Sequence, residues 1–93
     1  MSYKLSFHPD ALVEWRKLDA TVSKQFKKKL AERLQRPRVP SAQLSGHKDR
    51  YKIKLRSVGY RLVYEVRDAV LLVIVVAVGK RERNAVYRVA AKR

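Results

Sequence analysis

Nine consecutive apolar residues, 70–78, stand in a chain in which 33% of the residues are charged. The run falls far short of the ~20 residues that cross a bilayer. It suits a strand with no polar face, and such a strand has to lie in the middle of a sheet with cover on both sides, at least in part. The flanking segments have to supply that cover.

Just upstream, residues 50–56 read Arg-Tyr-Lys-Ile-Lys-Leu-Arg. In extended backbone Arg50, Lys52, Lys54 and Arg56 share one face, and Tyr51, Ile53 and Leu55 share the other. A strand at 60–67 follows the turn residues Val58 and Gly59, and the apolar run follows Asp68 and Ala69, so both connections read as tight hairpins. A two-residue first turn sets Arg56 against Arg61 and Lys52 against Glu65, with the apolar residues meeting on the opposite face. The second hairpin then pairs Arg67 with Val70 and Arg61 with Val76. Arg56, Arg61 and Arg81 gather at one corner, with Lys54 one step inward.

Toward the start of the chain, 3–7 alternates as a short strand. Pro9 and Asp10 open a first helix whose stripe is Leu12, Trp15 and Leu18. Asp19 and Thr21 are both possible caps for a second helix to about Gln35, with Val22, Phe26, Leu30 and Leu34 inward and Lys24, Lys27, Lys28 and Arg33 outward. Residues 37–49 form a loop with Gly46 at a turn. Residues 80–93 have helical spacing, with Val86, Val89 and Ala90 on one stripe and Tyr87 to its side. The pattern predicts one α+β domain over 1–93: a small antiparallel sheet of about four strands, packed by an N-terminal helical pair, with a C-terminal helix.

Lys and Arg number 23 against 8 Asp and Glu, a net charge of +15. Four like charges along one strand face repel one another, and such a face persists where it binds an anion. The balance points to nucleic acid or an acidic protein partner. There is no cysteine, and His8 and His47 are isolated, so the sequence predicts no disulfide, metal site or cofactor. The first residues lack the apolar core of a secretory signal, so the expected location is the cytoplasm, away from membranes.

The order of strand, helical pair, Tyr-Lys-Ile-Lys-Leu-Arg at 51–56, Gly-Tyr-Arg-Leu-Val-Tyr at 59–64, Val-Gly-Lys-Arg-Glu-Arg at 78–83 and a tyrosine in the closing helix resembles the RelE toxins of bacterial toxin–antitoxin systems. The similarity runs almost end to end and includes Glu-Trp-Arg-Lys-Leu at 14–18. It implies a RelE-like, microbial RNase-like fold and a ribosome-dependent endoribonuclease that cuts messenger RNA in the A site of the 70S ribosome, inhibiting translation. By that resemblance Lys54 is the general base, Arg81 the general acid, Lys52 and Arg61 stabilise phosphate charge, and Tyr87 stacks on a base. Lys24, Lys27, Lys28 and Arg33, with Arg50, Arg56, Lys80 and Arg83, make up the candidate RNA- and ribosome-binding set. A RelB-like antitoxin is the implied partner, and operator DNA is bound only through the toxin–antitoxin complex, which represses its own transcription. Ser45 departs from the family pattern, which often has a basic residue there.

Chemistry supports part of this independently. The eight carboxylates are scattered, unlike those of a two-metal nuclease. Attack by the RNA 2′-hydroxyl with cationic stabilisation needs a base that is neutral part of the time, and the charges around Lys54 disfavour its ammonium form. Arginine hardly ever deprotonates, so physics alone makes Arg81 an electrostatic stabiliser of the leaving oxygen. Two other readings stay open at this point: a ParE-like poison of DNA gyrase, and a non-catalytic basic RNA- or ribosome-binding protein.

Overall fold

The computed structural model describes residues 2–82 and 84–93. Its sheet has four strands, β1 (Lys4–Phe7), β2 (Arg50–Leu55), β3 (Tyr60–Arg67) and β4 (Leu72–Lys80), in the order β1-β4-β3-β2. The apolar run therefore does lie inside the sheet, in β4. The α+β class holds, but the sheet is mixed: β1 runs parallel to β4, from Lys4 opposite Leu72 to Phe7 opposite Val75. Hairpin signals report only on sequence neighbours, and this pair is joined across most of the chain.

Helix α1 (Pro9–Arg16) starts where His8 Nδ1 accepts the Asp10 amide at 3.1 Å. In α2 (Ala20–Gln35) Asp19 is the cap, accepting the Val22 amide at 2.9 Å, a contact worth about 1 kcal/mol. Val22, Phe26 and Leu30 are buried with Ala11 against one sheet face, where Tyr51, Ile53, Leu55, Leu62 and Tyr64 point. The Trp15 ring bridges Phe7 and Phe26, with centroids 5.4 and 6.1 Å away. The third helix, α3 (Ala85–Ala91), covers the other face with Val86 and Ala90. It starts later than its spacing suggests, because β4 continues through Lys80.

Both hairpins are looser than expected. Leu55 pairs with Tyr60 across residues 56–59, so Arg61 faces Lys54 rather than Arg56, and Glu65 faces Arg50 rather than Lys52. This register differs by two residues from the expected one, and a two-residue slip leaves every side chain on its expected face. At the second turn Arg67 faces Leu72, not Val70; Asp68–Val70 forms a 3-10 turn and Leu71 takes a left-handed conformation with φ 52°.

A bulge interrupts the β3–β4 ladder. Tyr64 faces Val75 and Val63 faces Ala77, which leaves Val76 as an extra residue. Val73, Val75 and Val78 belong to the core under α1 and α2, whereas Val76 and Ala77 both join Val63 under α3. The bulge thus divides one apolar run between two cores.

The backbone groups freed at the bulge are met by side chains. Glu14 Oε1 accepts the Val78 amide at 3.2 Å, and Arg93 Nη1 donates to the Val76 carbonyl at 2.9 Å. The two side chains also pair with each other bidentately, at 2.9 Å for both bonds. A second clasp centres on Arg38, which donates to Asp49 and Asp68, each at 2.9 Å, while Tyr3 donates to Asp68 at 2.6 Å.

Two stability tests follow from these contacts. Glu14→Ala leaves the Val78 amide without its acceptor and the Arg93 guanidinium with only the Val76 carbonyl, and should lower unfolding free energy by about 1–3 kcal/mol in urea titration. For Glu65, burial raises the carboxyl's pKa, but hydrogen bonds from Arg67 and Arg50 outweigh it and the net direction is down. A depressed folded pKa gives stability that is present above the ordinary carboxylate range and lost as pH falls through the folded value. Melting temperature against pH should therefore lose part of its acid slope in Glu65→Gln.

Candidate active site

On the α3 side of the sheet, β2 presents Arg50, Lys52 and Lys54 opposite Glu65, Val63 and Arg61 of β3, and β4 places Gly79 opposite Arg61. A side chain at Gly79 would have its Cβ 3.3 Å from Val86 Cγ2, so the bare glycine lets the start of α3 lie close to the strand. The Arg81 amide donates to the Gly59 carbonyl at 2.6 Å, tying the end of β4 to the β2–β3 loop.

Between these elements is a cavity of about 110 Å³. Lys54, Arg61, Lys80 and Arg81 line it, joined by Glu82 and, from the start of α3, by Asn84 and Tyr87. Arg61 is only 9% exposed, and its Nη1 donates to the Tyr60 carbonyl at 3.2 Å. Among the described residues no carboxylate forms an ion pair with Arg61; Glu65, four residues along the same strand, is taken by Arg50 at 3.1 Å and Arg67 at 2.7 Å. A buried cation without a counter-charge is costly, and an anion entering the cavity relieves that cost.

Lys54 is exposed at the mouth of this cavity. Its pKa lies below the ordinary lysine value, chiefly through repulsion from Lys52, then through partial desolvation and the charges of Arg61, Arg56 and Arg81. Tyr87 offers its ring to the cavity, whereas its hydroxyl oxygen is buried and has no hydrogen-bond partner among the described residues. The arrangement can bind a phosphate-sized anion among Arg61, Arg81 and Lys54, whose amine is held below its ordinary pKa.

The remaining candidates separate. Arg50 is a clasp, pairing with Glu65 and donating to the Ala90 carbonyl at 2.7 Å. Arg33 does not point outward: its Nη1 donates to Tyr64 Oη at 2.9 Å and to the Lys52 carbonyl at 3.2 Å, and its guanidinium sits 5.7 Å from the Tyr64 ring centroid. Lys24, Lys27 and Lys28 are exposed on α2, across the sheet from α3. Arg56 lies in the exposed loop and does not line the cavity, although its charge reaches Lys54. Arg83 lies outside the described residues. Asn84 is new to the set; its φ of 60° is one that asparagine tolerates better than most residues, which is the trace it leaves in the sequence.

Comparison with known proteins places the chain in a family. The family model described as the ParE toxin of the type II toxin–antitoxin system parDE matches residues 5–85. The mRNA interferase toxin RelE of Escherichia coli K12 is 57% identical over 93 residues, covering 100% of this chain and 98% of that protein. The chain belongs to the RelE/ParE toxin family. A free double mutant of E. coli toxin RelE superposes with a TM-score of 0.92 at 55% identity, covering 100% of this chain and 98% of that one. The toxin in the intact E. coli RelBE toxin–antitoxin complex gives a TM-score of 0.84 at 56% identity, over 88% of this chain and 100% of that chain. Within the RelE/ParE family, then, the full-length resemblance is to RelE, although the matching family model carries the ParE description.

The electrostatics of Lys54 can be tested without any substrate. Because Lys52 is the largest cause of the depression, Lys52→Gln should raise the Lys54 pKa toward its ordinary value. Carbon-13 NMR titration of the lysine Cε resonances reads this directly; a Lys54 that titrates identically in both proteins contradicts the assignment.

Proposed function

We propose that this toxin is a ribosome-dependent endoribonuclease that cleaves messenger RNA in the A site and is neutralised by a RelB-like antitoxin. The observation that carries the reading is the juxtaposition of Arg61, buried and with no ion-paired carboxylate among the described residues, with Lys54, held below its ordinary pKa. The names of the full-length E. coli relatives, an mRNA interferase and a toxin found in complex with RelB, support the same activity and partner.

In the proposed reaction neutral Lys54 takes the proton of the RNA 2′-hydroxyl as that oxygen attacks the adjacent phosphorus. Negative charge builds on the pentacovalent phosphorus centre, where Arg61 and Lys52 stabilise it. The bond to the 5′ oxygen breaks, leaving a cyclic phosphate and a 5′-hydroxyl. Arg81, which lines the same cavity, would stabilise the departing oxygen, and the proton that oxygen gains comes from Arg81 or from water relayed beside it. Tyr87 supplies a ring against which a base stacks. Its buried hydroxyl has no proton-transfer role.

Lys24, Lys27 and Lys28 fit this reading as contacts to ribosomal RNA phosphates, since α2 leaves them in solvent and away from the cavity. Arg33 and Arg50 are withdrawn from that set because their guanidinium groups hold the fold together. The antitoxin would carry operator binding for the pair, and the reaction would take place in the cytoplasm.

Gyrase poisoning is the second reading, favoured by the ParE description of the matching family model. It has no use for an amine of depressed pKa beside a buried guanidinium.

Primer extension on translating ribosomes separates the two. Wild-type protein should cut within the A-site codon, and Lys54→Ala and Arg81→Ala should each lower the rate by about 10²–10⁴-fold. Naked RNA should be cut far more slowly, because the ribosome orients the strand. Absence of A-site cleavage by a folded, ribosome-bound wild type, together with inhibition of gyrase supercoiling, would replace this reading with the other.

A further inference from the structure

The Lys54 amine is a nucleophile as well as a base. It is exposed at the mouth of the cationic cavity, where a small molecule reaches it without any movement of the fold. Repulsion from Lys52, partial desolvation and the nearby arginines lower its pKa, so more of it is in the neutral form that attacks carbonyl carbon. Lys52 lies on the same strand face but does not line the cavity.

The strand register fixes what stands beside this amine. Lys54 faces Arg61 directly across β2 and β3, which sets their Cβ atoms about 4.5–5.5 Å apart. Arg61 is buried in the cavity wall, and Arg81 reaches the cavity from the end of β4, where its amide is held by the Gly59 carbonyl at 2.6 Å. A phosphoryl group suits the two guanidinium groups, which offer forked donors to its oxygens. In a cavity of about 110 Å³, whatever is joined to a phosphoryl group seated on them lies at the mouth, beside the amine.

We infer that Lys54 is a site of acylation by small acyl phosphates: the phosphoryl group docks on Arg61 and Arg81, and the Lys54 amine attacks the adjoining carbonyl carbon. A C–N bond forms, and the bond from the carbonyl carbon to the bridging oxygen breaks. Inorganic phosphate leaves with that electron pair and takes up the proton lost by the nitrogen, and nothing is oxidised or reduced. The cations that keep the amine neutral also stabilise the departing phosphate. The product amide has no positive charge and no basic nitrogen. Its effect on activity rests on the ribonuclease reading: an acylated Lys54 cannot take the proton of a 2′-hydroxyl, so the modification switches the toxin off.

The test is incubation of the wild-type protein with acetyl phosphate, with acetylation followed at each lysine by peptide mass spectrometry. Lys54 should react about tenfold faster than Lys24, Lys27 and Lys28, which lie on α2 away from the cavity. Excess inorganic phosphate should remove most of that advantage. So should Arg81→Gln, a change at an exposed position that leaves the buried Arg61 in place. Acetic anhydride, which has no phosphoryl group to seat, should show only a small preference for Lys54. The inference is overturned if Lys54 reacts no faster than the α2 lysines, if Lys80 takes the acetyl group instead, if phosphate leaves the preference unchanged, or if acetic anhydride shows the same one. Primer extension on ribosomes separates the two readings. Selective acetylation that leaves A-site cleavage intact removes Lys54 as the base and keeps the acylation site; A-site cleavage by a protein whose Lys54 is not selectively acetylated removes only the acylation.

Discussion

The structure depends on one extra residue in its central strand. Val76 interrupts the β3–β4 ladder, and from that point the faces of β4 exchange. Carried on without a bulge, the register would set Val78 against Arg61, with its side chain on the α3 face. With it, Gly79 occupies that position, and the space a side chain would have filled is left to Val86 at the start of α3. Val78 turns to the opposite core, where it packs with Val73 and Val75. A bulge has to satisfy the amide and carbonyl it frees, and here Glu14 and Arg93 do so while binding each other. One irregularity thereby joins α1, β4 and the segment after α3.

The cations of this chain divide by what their neighbours offer. Arg38, Arg50, Arg67 and Arg93 each reach a carboxylate, and Arg33 reaches a phenol and a carbonyl. Glu14, Asp49, Glu65 and Asp68 are all engaged in those pairs. Those four acids are spent away from the cavity, and Lys54, Arg61, Lys80 and Arg81 are left facing it with Glu82 as the one acid among the described residues of its wall. Such a cluster stores repulsion that the rest of the fold has to overcome, and a polyanion releases it. In this sense the clasps and the site are one arrangement of a limited number of carboxylates.

Much of this was legible in the residues. Period-two alternation in β2 assigned its faces correctly, and the unbroken apolar run placed β4 inside the sheet, because burial acts on every second residue of β2 and a slip of two leaves that pattern intact. The stripe of Val22, Phe26 and Leu30 likewise marked the buried side of α2. Loop lengths were not legible: a four-residue connection and a two-residue turn place the same residues on the same faces, so parity cannot separate them. Neither was the bulge, since an apolar run carries no phase to break. The roles of Arg33 and Arg50 were hidden for another reason. An arginine on an amphipathic helix or strand looks solvated until the partner that claims it, Tyr64 or Glu65, is brought near by pairing of distant segments.

The parallel pairing of β1 with β4 bears on how the molecule comes to be folded. The two hairpins of β2, β3 and β4 are local in sequence and can form early, whereas β1 must find its place beside residues 72–75 after closing a loop that contains both α1 and α2. Until then Tyr3 and Phe7 have not reached the core they pack against, and the β1 side of β4 is an open edge. That pairing is the non-local one, which loop closure slows, and an unpaired flank of β4 is where a partly folded copy would meet another.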